Sequence, residues 1–192
     1  MKLLIIDNYD SFVYNLVHLV MNIGDTEVTV KRNDKIELSE VADYDLILLS
    51  PGPGIPSEAG LMPEIIKQYH ATKNILGVCL GHQAIGECFG AKLTNITPVL
   101  HGVASEIKII DDDPVFEGLS ESFHGGHYHS WVVEKEGLPD ELIVTSESKE
   151  GYIMSLRHKE FNIVGLQFHP ESILTGSGRK IMKNWLTESN GL

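Results

Sequence analysis

Two short stretches of this chain carry reactive side chains at a spacing that suits covalent catalysis. Residues 77–81 read "GVCLG", which sets Cys79 between two glycines. Residues 166–172 read "LQFHPES", with His169 two positions before Glu171. A cysteine attacks a carbonyl carbon as thiolate, and needs a base to take its proton and later return it to the leaving group. A third group that fixes the imidazole tautomer completes the set. Residues i and i+2 of an extended chain point the same way, so Glu171 can reach the His169 ring, and Pro170 stiffens the link. Each stretch alone has a plainer reading. Free cysteines are usually buried, so "GVCLG" by itself leaves core packing and nucleophile both open. Cys88, in mid-helix beside Phe89, reads as core.

The surrounding pattern predicts how these groups are positioned. "KLLIID", "EVTVK", "DLILLS" and "NILGVC" are apolar runs bounded by turn signals, which read as buried strands. Between the first two, "SFVYNLVHLVMNIG" reads as a helix with Phe12, Leu16, Leu19, Val20 and Ile23 inward. Asp10 or Ser11 caps its start and Gly24 its end. "MPEIIKQYHAT" and "GHQAIGECF" read as further helices, the latter stopping at Gly90. This alternation predicts a three-layer α/β fold, a mostly parallel sheet with helices on both faces. "SEIKII", "SWVV", "ELIVTSES", "YIMSLRH" and "NIVGLQF" predict a small antiparallel extension plus additions to the main sheet. The closing helix "GRKIMKNWLTE" turns Ile181, Trp185 and Leu186 inward. No repeat or linker appears, which predicts one domain over residues 1–192.

In such a sheet, ligands bind beyond the carboxyl ends of the strands, and Cys79 falls at one of them. G-x-C-x-G matches the nucleophile-elbow spacing with Cys in place of Ser. The glycines let the turn tighten. The helix that follows directs its positive end at the sulfur, and the Leu80 N–H is placed to hold an oxyanion. "SPGPG", residues 50–54, follows another strand. It is either plain turn chemistry or a source of ligand-facing amides; Pro53 has no N–H, so Gly52 or Gly54 would be the second oxyanion donor.

Composition narrows the classes. The chain has 192 residues, 42% apolar and 22% charged, ordinary for a globular protein with a sizeable core. A formal net charge of −12 without a basic cluster argues against nucleic acid and anionic membrane as partners. No run approaches the roughly 18 apolar residues of a membrane span. The opening "MKLLIIDNYD" is no signal peptide, and two cysteines suit a reducing cytoplasm better than a disulfide framework. Asp111-Asp112-Asp113 beside Pro114 reads as a solvated turn.

"SPGPG", "GVCLGHQ" and "FHPES", in this order, resemble the class I (triad) glutamine amidotransferases over essentially the whole chain. The resemblance implies a flavodoxin-like fold, Cys79 as nucleophile, His169 as base and Glu171 as its orienting partner. It implies an oxyanion hole of Gly52 and Leu80 backbone. It also implies an L-glutamine pocket made by Gly52, Pro53, Gly54, Gln83 and backbone at Ser130 and Trp131. Trp131 departs from the family's "YHSL". No metal or organic cofactor is implied for this chain. "IDNYDSFVYNL" and "FHPESILT" resemble the component II subunits that work beside a large chorismate-binding synthase subunit, itself expected to use Mg²⁺. Anthranilate synthase is the first expectation and aminodeoxychorismate synthase the alternative, with a shared subunit serving both as a variant. No P-loop and no "SGG" segment is present, so the ammonia-consuming enzyme is expected on a separate chain.

Three rival classes remain. "HGGHYHSW" could gather zinc through His124, His127 and His129, although its Gly-Gly pair predicts a mobile loop. A catalytically silent subunit would only stabilise its partner, and a γ-glutamyl hydrolase would act alone.

Overall fold

The computed structural model describes residues 1–189. Nine strands form one sheet among these residues, in the order β2-β1-β3-β4-β9-β8-β7-β5-β6. The half formed by β2 (Glu27–Arg32), β1 (Lys2–Asp7), β3 (Leu46–Leu49), β4 (Asn74–Val78) and β9 (Ile163–Leu166) is parallel throughout. From β9 outward, β8 (Ile153–His158), β7 (Leu142–Ser148), β5 (Leu93–Ile109) and β6 (Ser122–Val133) pair antiparallel.

Strands buried on both faces need continuous apolar sequence, and β1 and β3 supply it. Leu3 and Ile5 face a layer containing α1 (Val13–Met21) and α4 (Gly178–Glu188). Leu4 and Ile6 face a layer containing α2 (Met62–Tyr69) and α3 (Leu80–Cys88). The expected three layers are therefore present, and α4 buries Ile181, Met182, Trp185 and Leu186.

Local details differ from the sequence reading for identifiable reasons. Helix α1 buries Val13, Leu16, Val17 and Val20, while Phe12 is 56% exposed. Phe12 precedes the first helical turn; its N–H donates to the Asp10 carboxylate at 3.0 Å, which turns it away from the inward face. The helix ends at Met21, before Gly24. Helix α3 does stop at Gly90, which takes φ +98°. The segment "HGGHYH" is part of β6, not a mobile loop. A Cβ on Gly125 would lie 2.4 Å from Ile107 Cδ1, and one on Gly126 2.9 Å from Ser172 Oγ. These glycines permit close packing between layers rather than disorder.

The acidic run is not wholly solvated either. Asp113 is buried and accepts from Val115 N–H at 3.0 Å, opening a 3-10 turn. Its Oδ1 also accepts from Arg157 at 2.7 Å, and Arg157 meets Glu188 of α4 with two 3.0 Å bonds. This knot ties β8 to the closing helix. Removing Asp113 from this buried pair leaves Arg157 only its bonds to the part-exposed Glu188. Asp113→Ala is expected to lower unfolding free energy by about 3 kcal/mol in urea titrations. A loss under about 1 kcal/mol would mean the pair behaves like a solvated surface contact.

Candidate active site

Cys79 follows β4 directly and caps α3 with positive φ, at φ +52° and ψ −99°. Positive φ is costly for a side-chain-bearing residue and is held here by its surroundings. Its N–H donates to Leu166 O at 2.7 Å, and its C=O accepts from Gln83 N–H at 3.0 Å. The flanking glycines are obligatory for packing. A Cβ on Gly77 would sit 2.4 Å from the Gly81 carbonyl, and one on Gly81 2.5 Å from Leu49 O. The result is a strand–turn–helix elbow with the thiol at the start of a helix, where backbone N–H groups converge.

Loops from neighbouring strand ends complete the site. A Cβ on Gly52 would lie 3.0 Å from Leu80 Cδ2 and 2.5 Å from Asn8 O, so the "SPGPG" loop is pressed between the elbow and the β1–α1 loop. Asn8 is the clamp, a residue the sequence reading missed. Its side chain donates to Ser50 O at 2.8 Å and accepts from Asn33 at 3.0 Å, and its N–H donates to Ser50 Oγ at 2.9 Å. Tyr9, next in sequence, is held at φ +61°. Only the run "NYD", polar residues directly after a strand, could have signalled this role.

His169 and Glu171 follow β9. Their side chains are 6% and 2% exposed, and His169 Nδ1 meets Glu171 Oε1 at 2.7 Å. That bond leaves Nε2 for Cys79; it has no hydrogen bond of ordinary geometry and interacts electrostatically with the thiol. Such contacts are commonly loose before substrate binds. The His169 backbone is fixed from β6: its N–H donates to Gly126 O at 3.0 Å. Its C=O accepts from Thr175 Oγ1 at 2.6 Å, and Thr175 Oγ1 accepts from Gly126 N–H at 2.9 Å. Tyr128 stands edge-on to His169 with ring centroids 4.9 Å apart, a wall the sequence did not reveal. Asp10 lies close enough to feel both His169 and Glu171; burial raises its carboxyl above the ordinary range against the opposing Phe12 N–H and His169.

Of the expected pocket residues, Gln83 and Trp131 are joined directly, Gln83 Nε2 donating to Trp131 O at 2.9 Å. Ser130 is half-buried beside them on β6. Pro53 and Gly54 are exposed on the loop. Pro53 and Leu80 share a cleft of about 370 Å³ with Asn8, Tyr9 and Asn33, while a larger hollow of about 890 Å³ at Lys108–Glu121 contains none of these groups. No three His, Cys, Asp or Glu side chains converge as metal ligands among the described residues. His124 is exposed, whereas His127 and His129 are buried and pair with each other at 3.2 Å.

The histidines around the site divide electrostatically. Burial lowers His82 to about 3, His127 to about 4 and His129 to about 3, so all three stay neutral. Burial also opposes charge on His169, but the nearby Cys79 sulfur and the hydrogen-bonded Glu171 carboxylate outweigh it and raise His169 to about 10. One imidazolium is thus favoured amid neutral rings.

The fold and these groups define an α/β enzyme with a candidate Cys–His–Glu set at the carboxyl ends of parallel strands. The family model described as "Glutamine amidotransferase class-I" matches residues 4–189, and the chain belongs to that family. It is 44% identical over 186 residues to aminodeoxychorismate/anthranilate synthase component 2 of Bacillus subtilis, covering 96% of this chain and 95% of that one. It is also 44% identical over 188 residues to the bifunctional protein TrpGD of Thermotoga maritima, covering 96% of this chain and 32% of that longer protein. A crystal structure from Thermoplasma acidophilum, described as that of a GMP synthase subunit, superposes with a TM-score of 0.89 at 25% identity, covering 100% of this chain and 94% of its own.

The two kinds of histidine predict opposite pH effects. A histidine with a lowered folded value stabilises above its unfolded value near 6.5, and that stability is lost as pH falls. His82, His127 and His129 each remove up to about 1.4 kcal/mol of stability per pH unit below that point. His169, raised, stabilises fully below about 6.5 and loses this contribution as pH rises toward 10. Urea unfolding from pH 4.5 to 9 is therefore expected to peak near neutrality. His129→Gln should flatten the acid limb; an unchanged limb would assign acid loss to carboxylates.

Proposed function

We propose that this chain is the glutaminase subunit of a two-chain chorismate-aminating synthase. It hydrolyses L-glutamine and passes ammonia to a large subunit that makes anthranilate. The buried 2.7 Å His169–Glu171 pair facing an elbow cysteine carries the reading. In this scheme the Cys79 thiolate attacks the side-chain amide carbon of glutamine. The oxyanion that forms is met by backbone N–H groups of Leu80 and Gly52. Protonated His169 gives its proton to departing ammonia, leaving a γ-glutamyl thioester. Water, deprotonated by the same ring, releases glutamate and restores the thiol. Glu171 holds the tautomer that keeps Nε2 toward the sulfur. Gln83, Ser130, Trp131 and the 52–54 loop bind the amino-acid end of the substrate. The chemistry needs no cofactor in this chain; Mg²⁺ belongs to the chorismate-binding partner.

Exposed apolar side chains at the same strand ends fit a partner face. Tyr9 is 49% exposed, Phe12 56% and Ile173, two residues after Glu171, 97%. A protein that covered them would also enclose the site and retain ammonia. Two free cysteines suit a cytoplasmic enzyme, and among the described residues no helix is long and apolar enough to cross a membrane. The Bacillus subtilis relative carries both synthase names, which favours a second version in which one subunit also serves aminodeoxychorismate formation.

The test uses this chain with the host's two chorismate-binding large subunits, each assayed with glutamine and with ammonia. Cys79→Ser is expected to abolish glutamine-dependent product and leave ammonia-dependent synthesis intact. Stimulation by one large subunit names the pathway, and by both indicates sharing. Glutamine-supported activity surviving in Cys79→Ser would refute the nucleophile. Glutaminase turnover equal with and without any partner would point to an independent hydrolase. Ile173→Glu should weaken large-subunit binding at least tenfold in titration calorimetry while leaving thermal stability unchanged.

A further inference from the structure

Gln167 has no part in the scheme above, yet it is fully buried beside the sulfur. Its Nε2 lies 3.7 Å from Cys79 Sγ. The chain bends at residues 167–168 as it leaves β9. Phe168 packs in the same core cluster as Cys79, and Gln167 and His169 both interact with the sulfur.

Which end of the Gln167 amide faces the sulfur follows from its neighbours. A carboxamide has a donor end and an acceptor end, assigned from the surrounding network. The network here ends on a backbone carbonyl, which can only accept. Trp131 O accepts from Gln83 Nε2 at 2.9 Å, which fixes the Gln83 amide. The same Nε2 then donates to Gln167 Oε1 at 3.3 Å, which fixes the Gln167 amide in turn. Its NH₂ is left pointing at Sγ. A flipped Gln167 would set two NH₂ groups against each other and press carbonyl lone pairs on the sulfur. This donor is neutral and takes no part in proton transfer, so it stabilises thiolate without competing with His169 as base.

We propose that Gln167 is a catalytic residue whose amide N–H holds and aims the Cys79 thiolate, in an orientation set through Gln83 by the Trp131 carbonyl. The assignment rests on Cys79 being the attacking group. It also links the candidate glutamine pocket to the nucleophile, because Gln83 belongs to both. A substrate that moved Gln83 would change the hold on the sulfur.

The test is the rate of Cys79 alkylation by iodoacetamide against pH, in a Cys88→Ala background that leaves one thiol. Gln167→Met keeps the length and removes the donor; its profile is expected to move up by about one pH unit, a tenfold loss of thiolate below the midpoint. Gln167→Glu keeps the acceptor for Gln83 and sets a carboxylate oxygen on the sulfur, so it should move the profile further. A purely structural role would lower the melting temperature and leave the profile where it was. Folded variants whose profiles coincide with the parent overturn the proposal. Should neither variant fold, the Gln167 side-chain ¹⁵N–¹H₂ signals of the wild-type chain decide. They are expected to shift with Cys79 titration and to stay still in Cys79→Ser, and a flat response in wild type overturns the proposal. The function itself is separated by a glutaminase assay on the same chains: a Gln167-dependent profile in a parent without glutaminase activity would leave the N–H···S contact standing and remove only the reaction assigned to it.

Discussion

The approach of backbone to backbone at the β4–α3 elbow is the constraint on which the rest of the site depends. Gly77 faces the Gly81 carbonyl and Gly81 faces Leu49 O at separations that admit no Cβ. This contact lets a nine-residue helix begin directly over the end of a parallel strand. It forces Cys79 into positive φ and turns the first amides of α3 toward the thiol. The glycine of the 50–54 loop then fits against Leu80 because the elbow is this compact. The strain at Cys79 is balanced by ordinary parts: two backbone hydrogen bonds, a buried helix and the apolar layers beneath.

Much of this was legible in the sequence because it is written in local rules. Continuous apolar runs gave the parallel strands, and G-x-C-x-G gave the elbow. His-x-Glu after an apolar run gave the buried pair. The illegible parts depend on what distant segments bring. Gly125 and Gly126 look like loop punctuation until Ile107, Phe168 and Ser172 are seen to occupy the space of their missing side chains. Asp113 looks solvated until Arg157 arrives from β8, 44 residues later. Asn8 by itself carries no signal in the sequence, and it is the clamp on the loop from β3. Phe12 fits the helical period, but a side-chain bond from Asp10 starts the helix one residue later and Val13 takes the inward place. Periodicity assigns elements well and is blind to such contacts.

The electrostatics of the site are arranged by exclusion of water as much as by pairing. His82, His127 and His129 occupy buried positions where a charged ring costs far more than an uncharged one. His127 finds Ser105 at 2.7 Å and His129 at 3.2 Å, a neutral chain that fills the wall behind the pocket strand. Against this background the charge of His169 has few competitors, and the carboxylate of Glu171 answers it directly. The histidine-rich stretch that suggests a metal site from sequence thus serves as low-polarity lining.

Both ends of the Cys79–His169 pair are carried by parallel strands, β4 and β9, but His169 is tied to the antiparallel half as well. Cys79 rides on the parallel half, through β4. The His169 backbone is pinned to the antiparallel half, through Gly126 of β6 and the Thr175 hydroxyl. The segment from His169 to Thr175 is therefore a staple that joins the end of a parallel strand to the antiparallel ribbon. The ring that must meet the sulfur is carried on that staple, so the seam between the two halves of the sheet and the catalytic pair are held by the same few hydrogen bonds.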